Sequence, residues 1–398
     1  MKHAFLMNSA VTLALALAIL SLANEGLLGQ STVPVNEPYL ADGIEAFRNG
    51  DLSAAERNFR VAVEHEPNSA LAQYWLGVTY VQEQKPAEAE QALLKGLDLQ
   101  PNLPEAYNQL GILYCKQLLF SKSEWAFSRA ITLNPKEANT LFNIGLCFMR
   151  QERPAEALTR FNEILILDAN YSDAYLQQGI TLTQLKRYPE ARSSLGKYLG
   201  FRPDDALGQI KLGEVFFKMK RFQDAIECFN KATAPGPYAS RAFLELGYSY
   251  YNMVRYPEAL EALEKAAVLD SGNLDAPLYL GIIYLEKGDK QQARFWFEKV
   301  LTLRPGHVEA QYCLGDIYFN EKKFDQALPF LQFVVQQAPD QSKAYYLLAL
   351  TYSRLNQPDR AREALRTFKR LEALERSQKR RTTYSTGPEL QGLNGVTP

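Results

Sequence analysis

At 398 residues the chain exceeds the roughly 250 to 300 residues at which a single hydrophobic core stops growing, so several domains or a repeated unit are expected. Its 46% hydrophobic and 12% aromatic content excludes disorder by composition. Lys and Arg number 44 against 45 Asp and Glu, and the resulting charge of -1 gives no general attraction to nucleic acid or anionic lipid.

The chain opens with Lys2 and His3 ahead of an apolar run from Val11 to Leu22, then the small-x-small triplet Ser21-Leu22-Ala23. This order predicts a cleaved signal peptide over residues 1–23, since the run is shorter than the roughly 18 apolar residues a spanning helix needs. If uncleaved, the leader would leave the protein membrane-tethered. Residues 24–35 read as a flexible lead-in, and export places the protein in a periplasmic or secreted location.

From Asn36 the same residue types return every 34 positions, giving ten repeats: 36–69, 70–103, 104–137, 138–171, 172–205, 206–239, 240–273, 274–307, 308–341 and 342–375. The eighth position holds Gly43, Gly77, Gly111, Gly145, Gly179, Gly213, Gly247, Gly281 and Gly315, then Ala349. With Gly at 23 of 398 residues, that column is not chance. The twentieth position is Ala except for Ser123. Glycine on one helix opposite alanine on the next predicts two antiparallel helices in close approach. Large residues fill the wedge, among them Tyr80, Tyr114 and Phe148 in one column and Phe59, Phe127 and Phe161 in another. Pro67, Pro101, Pro135, Pro203, Pro237, Pro305 and Pro339 close repeats, and Pro86, Pro154 and Pro358 open second helices. Pro329 falls a turn into its helix and is expected to kink it. Two short helices cannot bury their apolar face alone, so the ten repeats are expected to stack into one continuous rod. Residues 376–398, with Lys379-Arg380-Arg381 and then Gly, Pro, Ser and Thr, are expected to be a disordered basic and polar tail.

Tyr107-x-x-Leu110-Gly111-x-x-Tyr114, Ser123-x-x-x-Phe127 and Pro135 return as Leu280-Gly281-x-x-Tyr284, Ala293-x-x-x-Phe297 and Pro305. These residues resemble the tetratricopeptide repeat motif. The resemblance covers Asn36 to Glu375 and implies an all-α fold, an α-α superhelix of about ten helix-turn-helix repeats. Asp42 and Ala46 depart from the pattern in the first repeat, which reads as a solvent-facing cap. Ala169 and Ser271 replace the closing proline.

Little in the chain suggests chemistry. His65 and His307 are far apart and read as surface loop residues. Cys115, Cys147, Cys228 and Cys313 have no metal-ligand spacing and read as core or groove residues, with pairing of Cys115 and Cys147 left open. No phosphate-cradling glycine motif occurs. No enzyme activity, cofactor, metal or small-molecule substrate is expected.

The resemblance implies that first helices line a concave side, which makes particular positions candidates for partner binding. Near the start these are Tyr74 and Trp75. In the middle, Gln109, Asn143, Gln177 and Lys211 occupy the sixth position and form a polar line suited to a peptide backbone. Further on come Tyr248, Tyr251, Tyr279, Tyr312, Phe319 and Tyr346, rigid apolar area, mostly with polar tips. Each candidate has a rival reading as packing between adjacent first helices. Asn108 with Ile112, and Ile210 with Glu214, lack the Lys and Asn by which some family members clamp a chaperone's terminal carboxylate. The C-terminal end carries a local excess of positive charge, Arg360, Arg362, Arg366, Lys369 and Arg370 included, and reads as a solvated face. A membrane contact through it is conceivable but not expected. The expected function is an exported adaptor or scaffold that binds a peptide or helix of a protein partner in its groove, without catalysis. The alternatives are an accessory subunit that recruits or activates a separate envelope enzyme or secretion machine and, disfavoured by charge and export, an RNA-binding helical repeat.

Overall fold

The computed structural model describes residues 38–385, and their side chains as far as 377. The expected signal peptide, lead-in and the end of the tail lie outside the described residues. Among those described, every repeat is a pair of helices. The first helices are α1 (Pro38–Arg48), α3 (Ala70–Gln82), α5 (Pro104–Lys116), α7 (Ala138–Arg150), α9 (Ser172–Gln184), α11 (Ala206–Lys218), α13 (Ala239–Asn252), α15 (Asp275–Glu286), α17 (Val308–Asn320) and α19 (Ser342–Arg354). The second helices are α2 (Leu52–His65), α4 (Pro86–Leu99), α6 (Phe120–Leu133), α8 (Pro154–Leu167), α10 (Tyr188–Phe201), α12 (Phe222–Lys231), α14 (Tyr256–Leu269), α16 (Lys290–Leu303), α18 (Phe324–Gln337) and α20 (Pro358–Ser385).

One turn joins the helices of every repeat. The fifteenth position has positive φ throughout: Gly50, Gln84, Leu118, Glu152, Lys186, Lys220, Val254, Gly288, Lys322 and Asn356. The next residue donates its N–H five residues back, as Arg153 does to the Phe148 carbonyl at 2.9 Å and Arg255 to that of Tyr250 at 2.9 Å. This is a Schellman stop, which satisfies carbonyls that the end of an α-helix leaves open. It also folds the sixteenth side chain back over the eleventh. The Arg153 guanidinium sits 4.5 Å from the Phe148 ring centroid, and Arg221 over Phe216 and Arg255 over Tyr250 are each at 4.8 Å. Second helices then start on Pro86, Pro154 and Pro358, or on caps such as Asp289, which accepts from Gln292 N–H at 3.0 Å.

The glycine column has a steric cause. A Cβ at Gly43, Gly77, Gly111, Gly145, Gly179, Gly247, Gly281 or Gly315 would lie 2.5–2.8 Å from a Phe or Leu of the following helix: Phe59, Leu93, Phe127, Phe161, Leu195, Leu263, Phe297 and Leu331 respectively. The small residue at position twenty does face the glycine, since Ser123 Oγ donates to the Gly111 carbonyl at 2.8 Å. It is the side chain one turn further, at position twenty-four, that forbids a methyl. In the last repeat that residue is Leu365, 36% exposed where Phe59 and Phe297 are fully buried, and there the eighth position is Ala349. A side chain partly exposed at that position leaves room for the Ala349 methyl. Each fully buried Phe of this column contributes about 1.5–3 kcal/mol.

The chain divides into two compact units, Met1–Arg221 and Phe222–Pro398, with the boundary inside the sixth repeat. That repeat is also irregular: α12 has 10 residues where its counterparts have 14. Pro235 and Pro237 follow closely, and a proline cannot extend the helix by donating to it. In the N-terminal unit successive first helices pack directly, α1 on α3, α3 on α5, α5 on α7, α7 on α9 and α9 on α11, with no comparable packing between second helices. In the C-terminal unit α13 packs on α15 and α17 on α19 in the same way. The first helices are therefore the inner layer of each unit.

The helix α18 spans Phe324–Gln337 with Pro329 inside it, where the missing N–H removes one helical hydrogen bond. At the end, α20 continues to Ser385 where disorder from 376 was expected, because the run from Arg376 to Ser385 holds no Gly or Pro to stop it.

Candidate functional site

The candidates sort by unit. In the N-terminal unit Tyr74 and Trp75 are buried. The Trp75 indole stacks on Phe59 at 6.0 Å and meets Phe47 edge-on at 5.6 Å, so it joins α3 to the first repeat. Burial of Tyr74 keeps its hydroxyl protonated, raising its pKa with a lesser push from Glu105. Gln109, Asn143 and Gln177 are buried as well. The sixth position of a first helix faces the preceding first helix, and direct packing of the two seals the polar line. Asn143 Nδ2 donates to Asn108 Oδ1 at 3.3 Å, while Gln109 Oε1 and Asn143 Oδ1 have no hydrogen-bond partner. Lys211, half-buried, is held by Glu214 at 3.1 Å. These residues are thus packing neighbours, and the rival reading applies to them.

In the C-terminal unit the aromatic candidates stay open. Tyr248, Tyr251, Tyr279, Tyr312 and Phe319 are half-buried, and Tyr346 is 46% exposed. Three of them meet: the Tyr279 ring is 4.5 Å from Tyr248 and lies 5.6 Å edge-on from Tyr251. Tyr346 instead packs against Phe368 of α20, and Phe319 against Phe324 of α18. Tyr312 stands beside Asp316, whose carboxyl is held above the usual range by burial.

The repeat columns did not single out Glu286, Asp275 and Glu309 around these rings. Glu286 accepts from the Tyr251 hydroxyl at 2.8 Å and the Tyr256 hydroxyl at 2.7 Å. Tyr279 has its pKa raised first by burial and then by Glu309, Asp275 and Glu245. Asp275 and Glu309 both stand in the second position of their repeats, a signal that was available in the sequence.

Of the histidines, His65 is exposed and stacks on Tyr39 at 5.2 Å. His307 is not the surface residue expected: it is buried and caps α17, its Nδ1 accepting from Ala310 N–H at 3.3 Å. All four cysteines are free thiols, and hydrogen bonding to Cys147, followed by burial, pushes Cys115 up. Among the described residues no three His, Cys, Asp or Glu side chains are placed to hold a metal ion, and no helix is long and apolar enough to cross a membrane.

Comparison with known proteins agrees with the helical pairs. No curated relative matches the sequence. Among solved structures, MamA from Desulfovibrio magneticus RS-1 is 28% identical, with 43% of this chain and 96% of that one covered and a TM-score of 0.40. PilF of Pseudomonas aeruginosa is 19% identical over 52% of this chain and 95% of its own, with a TM-score of 0.47. YrrB, described as a TPR protein with an unusual peptide-binding site, is 24% identical over 46% and 95%, with a TM-score of 0.40. None of these scores carries an argument about function. A model of subunit 3 of the anaphase-promoting complex, or cyclosome, matches residues 286–368. The tetratricopeptide repeat model matches 40–104, 109–175, 148–206, 176–240 and 244–308, and on that coverage the chain belongs to the tetratricopeptide repeat family.

Proposed function

We propose that the protein is an exported scaffold whose C-terminal unit receives a peptide or helix of a partner protein on the tyrosine face of its first helices. Family membership supports a protein-interaction scaffold at the coarse level. The observation that carries the finer reading is the contrast in exposure: Tyr248, Tyr251, Tyr279 and Tyr312 stay half-open, whereas Trp75, Gln109 and Asn143 are closed off. Half-buried tyrosine gives apolar contact area at little loss of side-chain freedom, together with a hydroxyl that a partner satisfies. Catalysis plays no part in this reading, since the family fold is generally of the adaptor type. Export rests on Lys2, His3 and the apolar run to Leu22.

The test is affinity capture with full-length protein and the triple variant Tyr248→Ala, Tyr279→Ala, Tyr312→Ala, after thermal melts show that the variant keeps its helices. Loss of the captured partners is expected, and undiminished recovery would overturn the reading. For export, the intact mass of protein recovered from its native source should begin after Ala23; a mass that retains Met1 to Ala23 would exclude cleavage.

A further inference from the structure

We propose that the tyrosine face of the C-terminal unit recognises a partner segment presenting Lys or Arg side chains. This rests on the preceding reading of that face as a docking surface and names the chemistry of what docks there.

Ring geometry comes first. Tyr248, Tyr251 and Tyr279 cluster with centroids 4.5 and 5.6 Å apart, and Tyr256 stands 6.2 Å from Tyr251, so π-faces and edges meet at several angles on one surface. A cation is attracted to such faces. Glu286 strengthens the attraction, because a phenol that donates to a carboxylate gains electron density in its ring, and both Tyr251 and Tyr256 donate to it.

The charge balance on this face comes second. Some carboxylates elsewhere are taken up by the chain's own cations: Glu56 by Lys85, Glu163 by Arg160, Glu190 by Arg187 and Glu258 by Arg255. Glu245 is likewise held by Arg241 at 2.7 Å. Asp275, Glu286, Glu309 and Asp316 form no ion pair among the described residues, although Lys290 is near enough to act on Asp316. Four unmatched acids therefore border the open tyrosines. A cationic side chain supplies the missing counter-charge and a ring to rest on, whereas an acidic segment would meet repulsion from all four.

The probes are fluorescein-labelled synthetic peptides of equal length: one alternating Arg with Ser and Leu, one with citrulline for every Arg, and one with Glu for every Arg. Anisotropy titration of the full chain should show the Arg peptide binding at least tenfold tighter than the citrulline peptide, weakening as salt rises, and the Glu peptide not binding. Asp275→Asn with Glu309→Gln, and separately Tyr279→Leu, should each lower Arg-peptide affinity at least tenfold, while Glu163→Gln in the N-terminal unit leaves it unchanged. Equal affinity for Arg and citrulline peptides, with Tyr279→Leu still abolishing both, would overturn the charge inference and leave the docking face standing. Affinity that ignores Tyr279→Leu, or no binding of the Arg peptide, would overturn it too, and the former would remove the docking face with it. A salt-sensitive dimer lost in Tyr279→Leu would assign the face to a second copy's basic final helix and overturn the inference as stated.

Discussion

The two units share one frame and differ in what they do with their inner faces. In both, a glycine at position eight lets a Phe or Leu side chain lie against the backbone of the preceding helix, and in both a left-handed residue turns the chain into the second helix. In the N-terminal unit the side chains at positions five and six, Tyr74, Trp75, Gln109 and Asn143, are consumed in holding successive first helices together. In the C-terminal unit Tyr279, Tyr312 and Tyr346, at those same positions, remain open, and Asp275, Glu286, Glu309 and Asp316 beside them form no ion pair among the described residues. Equivalent positions in a repeat therefore share a direction without sharing a role.

The largest test of this contrast compares two aromatic truncations. Trp75→Ala is expected to destabilise by about 3–5 kcal/mol, as removal of a buried Trp does, whereas Tyr279→Leu should leave the denaturation midpoint almost unchanged and remove binding instead. Urea titrations on both variants check this, and a comparable loss of stability in Tyr279→Leu would erase the distinction. The shared frame predicts that Gly145→Leu and Gly281→Leu each destabilise by at least ~1–3 kcal/mol, because both side chains are driven into a fully buried Phe. A clear effect in only one unit would break the equivalence. Smaller and opposite in sign is Val254→Gly: a β-branched residue at φ 59° is strained, and its relief should stabilise by about 1–2 kcal/mol in thermal melts. Gly196→Ala should stabilise by ~0.5–1 kcal/mol, since its added methyl meets nothing within 4 Å, in contrast to Gly145. The smallest effect is Asp316→Asn. Burial raises the Asp316 pKa in the folded state, so the unfolded chain binds fewer protons there and stability falls as pH rises from the unfolded to the folded value. The variant should therefore gain slightly over the parent at neutral pH and lose that advantage below the ordinary carboxylate range.

Much of the fold was legible because its cause is local and recurs. A Phe or Leu side chain at position twenty-four, pressed on the preceding helix, needs a residue without a side chain at position eight, and the column of glycines records that need nine times. The turn was illegible because a Schellman stop tolerates many residues. Only Gly50, Gly288 and Asn356 display the expected preference, while Leu118 and Val254 conceal it. His307 looked like a loop residue because its capping bond to Ala310 depends on the turn that buries it.

The amino-acid order by itself determined the period, the helical pairing, the glycine contact and membership of the repeat family, since each follows from residues within one repeat and its neighbour. Which inner side chains are sealed and which are open, and which acids go without an ion pair, was decided by how the helices pack on one another. That packing involves the whole layer, where side-chain volume from several repeats adds up, and no single position encodes it.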